Sequence, residues 1–244
     1  MSVNIALLKE NIRQYNIELT DLQCKAFQTY ADLLVEWNEK MNLTAITDSD
    51  GIAIKHFSDS LSIYPFIKKY FPDVENKNIS LVDVGTGAGF PGIPLKILLG
   101  NISLTLIDSL EKRIKFLNTV LGNIKMQDYL CVHRRAEDAG RDLLYREKYD
   151  ISVARAVAPL SILLEYCLPF LKSGGLFFAM KGVENGEIND AKMALSKLGG
   201  EIIQVERFNL VKDDLKRTII VVKKEKSMSS LYPRSSAHIS KKSL

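Results

Sequence analysis

Cysteine is scarce in this 244-residue chain: Cys24, Cys131 and Cys167 are odd in number and far apart. No C-x-x-C pair occurs, so neither a disulfide framework nor a cysteine zinc site is expected, and a reducing cytoplasm suits the chain. Histidine is equally rare. His56, His133 and His238 show no metal-ligand spacing, so no metal is expected. No uncharged apolar run reaches the roughly 18 residues of a membrane span. The best stretch, residues 162–171, is cut by Glu165 and Pro169. The opening MSVNIALLKEN lacks the basic start and long apolar core of a secretory signal. Internal repeats are absent as well.

The chain does have enough apolar residues, 46%, to build a sizeable core. Its length allows one large domain, or one domain with a small addition. Charge is unevenly placed. Lys224, Lys226, Arg234, Lys241 and Lys242 face only Glu225 in the last 21 residues, which therefore carry the whole net charge of +4. A basic tail on a neutral body fits an anionic polymer as partner, or a solvated, loosely ordered end.

Residues 1 to about 75 read as helices. Thr20-Asp21-Leu22-Gln23 has the form of a capping box. Behind it Leu22, Ala26, Tyr30, Leu33, Leu34, Trp37 and Met41 recur at three- and four-residue steps, which predicts one buried helix face. A second helical stretch spans Gly51 to Tyr70. From Ile79 the pattern changes to alternating strand and helix. Strands are expected at about Ser80–Asp83, Leu104–Ile107, Leu130–His133, Tyr149–Ala154 and Leu176–Met180. Helices are expected at Lys112–Leu121, Leu160–Leu168 and Glu184–Leu198. Two closing strands, Ile202–Phe208 and Arg217–Val222, have little between them. Repeated βα units imply a parallel sheet, and the closing pair implies an antiparallel edge.

The most informative segment is Leu81 to Leu95, LVDVGTGAGFPGIPL. An apolar strand ends at Asp83, and glycines follow at 85, 87 and 89. Glycine allows sharp turning and close approach of a ligand to the backbone, and the next helix offers free N–H groups. Ligands of such sheets lie outside the carboxyl ends of the strands. Two cofactors compete for the cradle. Gly87-Ala88-Gly89-Phe90-Pro91-Gly92 fits the dinucleotide pattern G-x-G-x-x-G. Asp83-Val84-Gly85-Thr86-Gly87-Ala88-Gly89 fits the acidic-x-G-x-G-x-G pattern of S-adenosylmethionine (SAM) methyltransferases. A carboxylate is unwelcome beside a pyrophosphate, whereas SAM carries an ammonium and a sulfonium instead. Asp83 therefore favours SAM, although it could also merely tie down the loop.

Other strand ends extend this reading. Asp108, 19 residues after Gly89, can accept from ribose hydroxyls or cap the following helix. Glu137, with the backbone of Ala136, can read an adenine. Arg155 emerges from an apolar run, where an unpaired cation is costly. Lys181 stands where it can touch a phosphate. Each of these also has a plainer reading as a cap or a solvent-facing charge.

The carrying segments are Asn42-Leu43-Thr44-Ala45, His56-Phe57-Ser58-Asp59-Ser60-Leu61, DVGTGAGFPGIPLKI at 83–97, Asp108-Ser109 with Lys112-Arg113, Arg135-Ala136-Glu137 and Arg155-Ala156. Through them the chain resembles, over essentially its full length, the bacterial glucose-inhibited division protein B family, the 16S rRNA guanine-N7 methyltransferases. The tail matches at Tyr232-Pro233-Arg234 and departs from the family at residues 235–240. The resemblance implies an α/β, Rossmann-like class I SAM-dependent methyltransferase with a mainly parallel, doubly wound sheet and an N-terminal helical extension. The expected parts are 1–78, helical; 79–223, SAM-binding; and 224–244, a flexible basic tail. It implies SAM contacts at Gly85, Phe90, Ala136, Glu137 and Arg155, which join Gly87 and Asp108. It also implies 16S rRNA, in the small subunit or an assembly intermediate, as partner; the lack of a long apolar run, the cysteine usage and the neutral body lead to the expectation of a soluble, cytoplasmic monomer. Arg135, Lys181 and Arg234 are the expected RNA contacts. No general base is expected, because guanine N7 has a lone pair and no proton. The alternatives are a methyltransferase for a small molecule or protein, an NAD-dependent oxidoreductase, and a non-catalytic RNA-binding factor.

Overall fold

Seven strands follow the chain among the described residues: β1 Ser80–Val84, β2 Ser103–Asp108, β3 Tyr129–His133, β4 Tyr149–Arg155, β5 Leu171–Lys181, β6 Gly200–Asn209 and β7 Lys216–Lys224. The computed structural model describes residues 3–155, 158–210 and 215–244. The strands form one sheet in the order β3-β2-β1-β4-β5-β7-β6. The expected mixed α/β architecture with a mainly parallel sheet is thus present. The chain divides into two compact units, Met1–Asn78 with Thr86–His133, and Ile79–Gly85 with Arg134–Leu244.

The first unit holds the N-terminal helices and the parallel pair β2–β3, in register from Leu104 opposite Tyr129 to Asp108 opposite His133. Its long helix, Asp21–Met41, starts at the expected capping box: Thr20 Oγ1 accepts from Gln23 N–H and the Gln23 side chain accepts from Thr20 N–H. The helix buries Ala26, Phe27, Tyr30, Ala31 and Leu34. Leu22, expected on that face, is instead 78% exposed, because it sits in the first turn beside the cap. Asn42, in the left-handed region at φ 49°, ends the helix. The stretch expected as one helix from Gly51 is a composite: residues Ile52–Ser58 widen into a π-helix, and Tyr64–Tyr70 is a separate α-helix.

The second unit builds outward from β1. It pairs β1–β4 and β4–β5 in parallel, then β5–β7 and β7–β6 antiparallel. The two closing strands are antiparallel as expected, with β7 placed between β5 and the edge strand β6. Val82, Ile151, Val153, Phe177, Phe178, Ile220 and Val222 are fully buried, and each contributes roughly 1.5–3 kcal/mol relative to exposure. Strand β5 begins five residues before the expected start. Lys172-Ser173-Gly174-Gly175 is a bulge within it: the register with β4 shifts between Tyr149 and Ile151. Gly174 has φ +84°, and a Cβ on Gly175 would stand 3.0 Å from the Lys172 carbonyl oxygen. The helix expected over Glu184–Leu198 is two short pieces, Glu187–Asp190 and Lys192–Leu198.

The tail is tied to this second unit, contrary to the expected loose end. Lys224 is wholly buried, with its ammonium on Glu147 at 2.8 Å and on the Leu171 carbonyl at 2.7 Å. A short helix, Ser236–Lys241, buries Ile239.

Candidate functional site

In the first unit the glycine loop is held from both ends. Thr86 N–H donates to the Ile107 carbonyl, and the Thr86 carbonyl accepts from Gly89 and Phe90 N–H. Gly87 (φ 60°) and Gly89 (φ 101°) lie in the left-handed region that glycine adopts freely. A Cβ on Gly89 would meet Ile93 Cδ1 at 2.6 Å and the Tyr30 hydroxyl at 2.8 Å; one on Gly87 would meet nothing within 4 Å. Of the two, only Gly87 therefore keeps open space at its Cα.

Gly87 and Asp108, far apart in sequence, are joined directly. Asp108 Oδ2 accepts from Gly87 N–H at 3.0 Å and Oδ1 from Leu110 N–H at 2.9 Å, while Arg113 Nη1 stands 3.2 Å from Oδ2. The helix-start reading of Asp108 is met through Leu110 N–H, and the carboxylate also holds the glycine loop, a role the sequence did not suggest. Phe90 is 6% exposed. Its ring stacks on His56 with centroids 4.5 Å apart and on Tyr30 at 5.4 Å. His56 Nε2 lies 2.8 Å from Thr44 Oγ1, and the Tyr30 hydroxyl donates to the Ala88 carbonyl. Tyr30, Thr44 and His56 were not expected at the site. The segments holding Thr44 and His56 were visible in the sequence, but nothing in their spacing pointed to the loop.

The second unit carries the other strand ends. Asp83 is fully buried on β1, opposite Val153 of β4. Gly85 follows with φ 69°. Arg155 closes β4, half-buried and opposite Met180; Ala156, its neighbour in the Arg155-Ala156 motif, lies outside the described residues. Arg135 is the N-cap of the Ala136–Arg141 helix, so Ala136 and Glu137 supply its first turn, where N–H groups have no partner inside the helix. Glu137 is 5% exposed, and its Oε1 is buried without a hydrogen-bond partner among the described residues. Leaving such an acceptor unsatisfied costs on the order of 1–3 kcal/mol, more for a charged group. A ligand bearing an N–H donor would satisfy it, as the exocyclic amino group of adenine does. Within this unit a buried acceptor that needs an N–H donor fits the adenine end of an adenosine-containing cofactor. Among the described residues no group of three or more His, Cys, Asp or Glu could hold a metal.

The three expected RNA contacts differ sharply. Arg135 is exposed, with a long 3.5 Å contact to Ser236 Oγ as its one hydrogen bond among the described residues. Lys181 is enclosed: its ammonium lies 2.9 Å from Glu187 and donates to the Ala158 carbonyl at 2.7 Å. Arg234 is clamped by Glu165, which is 0% exposed. The Arg234 backbone N–H, Nε and Nη2 all donate to that carboxylate, at 2.7–2.9 Å, and this pairing pushes the guanidinium pKa still higher. The cations of Lys181 and Arg234 are engaged inside the unit, whereas that of Arg135 faces solvent.

Comparison with known proteins follows the same direction. The sequence profile of the family described as rRNA small subunit methyltransferase G (GidB) matches residues 23–218. A protein named ribosomal RNA small subunit methyltransferase G from Acetivibrio thermocellus is 52% identical over 238 residues, covering 98% of this chain and 96% of that one. One of the same name from Alkaliphilus oremlandii is 49% identical over 236 residues, covering 96% of each. Among solved structures, the cyclase SpnF is similar with a TM-score of 0.52 at 15% identity, covering 69% of this chain and 81% of that one. That likeness is one of fold alone.

Proposed function

The chain belongs to the rRNA small subunit methyltransferase G family, and from that premise we propose that Gly85, Gly87, Phe90, Asp108, Ala136, Glu137 and Arg155 hold S-adenosylmethionine. The enzyme transfers a methyl group from SAM to N7 of a guanine in 16S rRNA. The oxidoreductase, small-molecule and non-catalytic readings are set aside on the family's account.

When bound, SAM supplies an electrophilic methyl group on a sulfonium. The residues of the chain bind and orient. Asp108 fixes the loop through Gly87 N–H, and Gly87 keeps its Cα clear for a ligand. Glu137 accepts from the adenine amino group through the oxygen that otherwise has no donor. Arg155 offers a cation at the end of β4. Guanine N7 needs no deprotonation, so no side chain is assigned as a base. Alignment of the reactants supplies the acceleration, worth up to roughly 7–11 kcal/mol in well-oriented systems.

Arg135 is the RNA contact best supported by its exposure. Lys181 and Arg234 serve the protein's own packing. No helix among the described residues is long and apolar enough to cross a membrane. The reading is of a cytoplasmic monomer acting on the small subunit or its assembly intermediate. The observation that carries the site is the unpartnered, buried Glu137 oxygen. Calorimetric titration of SAM into the Gly85→Asp variant tests the glycine loop's share in that site. Loss of measurable binding is expected, since a second carboxylate would fill the cradle, with only a small fall in thermal midpoint from the left-handed backbone at Gly85 (φ 69°). Retained affinity would remove the loop from the site.

A further inference from the structure

The C-terminal segment packs onto the short helix that carries Glu137. Pro233 meets that helix at Gly140, where an added Cβ would lie 3.3 Å from Pro233 Cγ and 3.2 Å from Pro169 Cβ. Arg141, the last residue of the helix, donates from Nε to the Pro233 carbonyl at 2.7 Å. Arg146 donates to the carbonyls of Gly140, Tyr232, Met228 and Ser229 at 2.8–3.2 Å. Arg234 then locks onto the buried Glu165, which lies on the neighbouring helix Leu160–Cys167. At the other end of the Glu137 helix, Arg135 reaches Ser236 Oγ. The tail therefore touches this helix at both ends.

A six-residue helix has too few internal hydrogen bonds to hold itself. Glu137 also has no bond at Oε1 among the described residues, so its placement depends on what surrounds the helix. The Glu165–Arg234 pair is well built for that task. A planar guanidinium meets a carboxylate in a two-pronged geometry that fixes direction as well as distance. Removing one partner would leave the other buried and unpaired.

We propose that Tyr232-Pro233-Arg234 is a strap that positions Glu137 for the adenine end of SAM, with Arg234 and Glu165 as positioning residues for cofactor recognition. The proposal rests on the reading of Glu137 as an adenine contact. It gives this part of the basic tail a role in cofactor binding in place of RNA binding.

The test compares SAM with its inosyl counterpart, in which the adenine amino group is replaced by a carbonyl. Both are titrated calorimetrically into the wild type, Glu137→Ala, Arg234→Ala, Arg234→Lys and Glu165→Gln. The wild type should prefer SAM on the order of tenfold or more, and Glu137→Ala should lose that preference. Arg234→Ala should lower SAM affinity several-fold and reduce the preference toward that of Glu137→Ala, and Arg234→Lys should restore part of it. Glu165→Gln, which keeps the shape and one acceptor oxygen, should lie between and serves if Arg234→Ala does not fold. A merely destabilised protein would lose both ligands equally. A wild-type preference that survives in Arg234→Ala and Glu165→Gln overturns the strap while leaving Glu137 in place. A wild type without preference, or a silent Glu137→Ala, overturns the Glu137 reading and the strap with it.

Discussion

The backbone N–H of Gly87 donates to Asp108 Oδ2 at 3.0 Å, so the loop and the end of β2 are one hydrogen-bonded unit. The same carboxylate accepts from Leu110 N–H and meets Arg113. Asp108→Asn keeps the shape but exchanges one acceptor oxygen for an NH2 group. One backbone N–H then loses its acceptor, at a cost on the order of 1–3 kcal/mol. The thermal midpoint should fall by about 2–4 °C per kcal/mol for a chain of this length. SAM affinity should fall tenfold or more. A variant with wild-type affinity would show that the loop does not depend on Asp108.

The two neighbouring glycines should respond differently to alanine. At Gly89 the added carbon would overlap Ile93 and the Tyr30 hydroxyl and would require φ 101°. At Gly87 it would enter open space and bear only the left-handed backbone penalty, about 1–2 kcal/mol. Gly89→Ala should be poorly soluble or strongly destabilised. Gly87→Ala should fold with a small loss in thermal midpoint and a larger loss in SAM affinity. Calorimetry on the pair checks the contrast; equal stability loss in both would contradict it.

Local patterns explain what the sequence disclosed. The capping box at Thr20, the strand-to-glycine transition after Asp83 and the βα alternation are short-range signals, and they became elements close to their expected bounds except β5, which starts early, and the divided helix after it. What stayed hidden depends on distant partners. The bulge at residues 172–175 reflects its packing against β4. The engagement of Arg234 depends on Glu165, 69 residues away. Charge counting alone could only treat the tail as a surface for an anionic polymer or as a solvated basic end. Phe90 is similar: its place on His56 and Tyr30 depends on helices from the first 60 residues.

Arg135 and Lys181 should separate in a salt titration of RNA binding. A side chain that neutralises one phosphate adds about 0.7–0.9 to the slope of log affinity against log salt. Arg135→Ala should lower the slope by about that much. Lys181→Ala should leave it unchanged, because the lysine's charge is already paired with Glu187. Filter binding to a 16S rRNA fragment at several salt concentrations gives both slopes, and a larger change in Lys181→Ala would reverse the assignment.

Asp150 links β1 to β4 through Ser80 and carries a pH-dependent share of stability. Burial pushes its carboxyl up, but the Lys172 ammonium and the Ser80 hydroxyl and amide outweigh this and hold it below the usual carboxylate range. A depressed folded value means the contribution is present above the unfolded value, about 3.9, and is lost as pH falls through the folded one. The stability gap between wild type and Asp150→Asn should therefore be full at pH 7, begin to narrow near about pH 4 and close as pH falls through the lower folded value. A gap that persists unchanged to pH 2 would contradict this origin.

The central claim is methyl transfer to guanine N7, and it is tested most directly with tritiated SAM and small subunits from a strain lacking this activity. After reaction the 16S rRNA is digested to nucleosides and the label is separated. The account predicts all label in 7-methylguanosine. Label in any other nucleoside, or none with SAM bound, would contradict it.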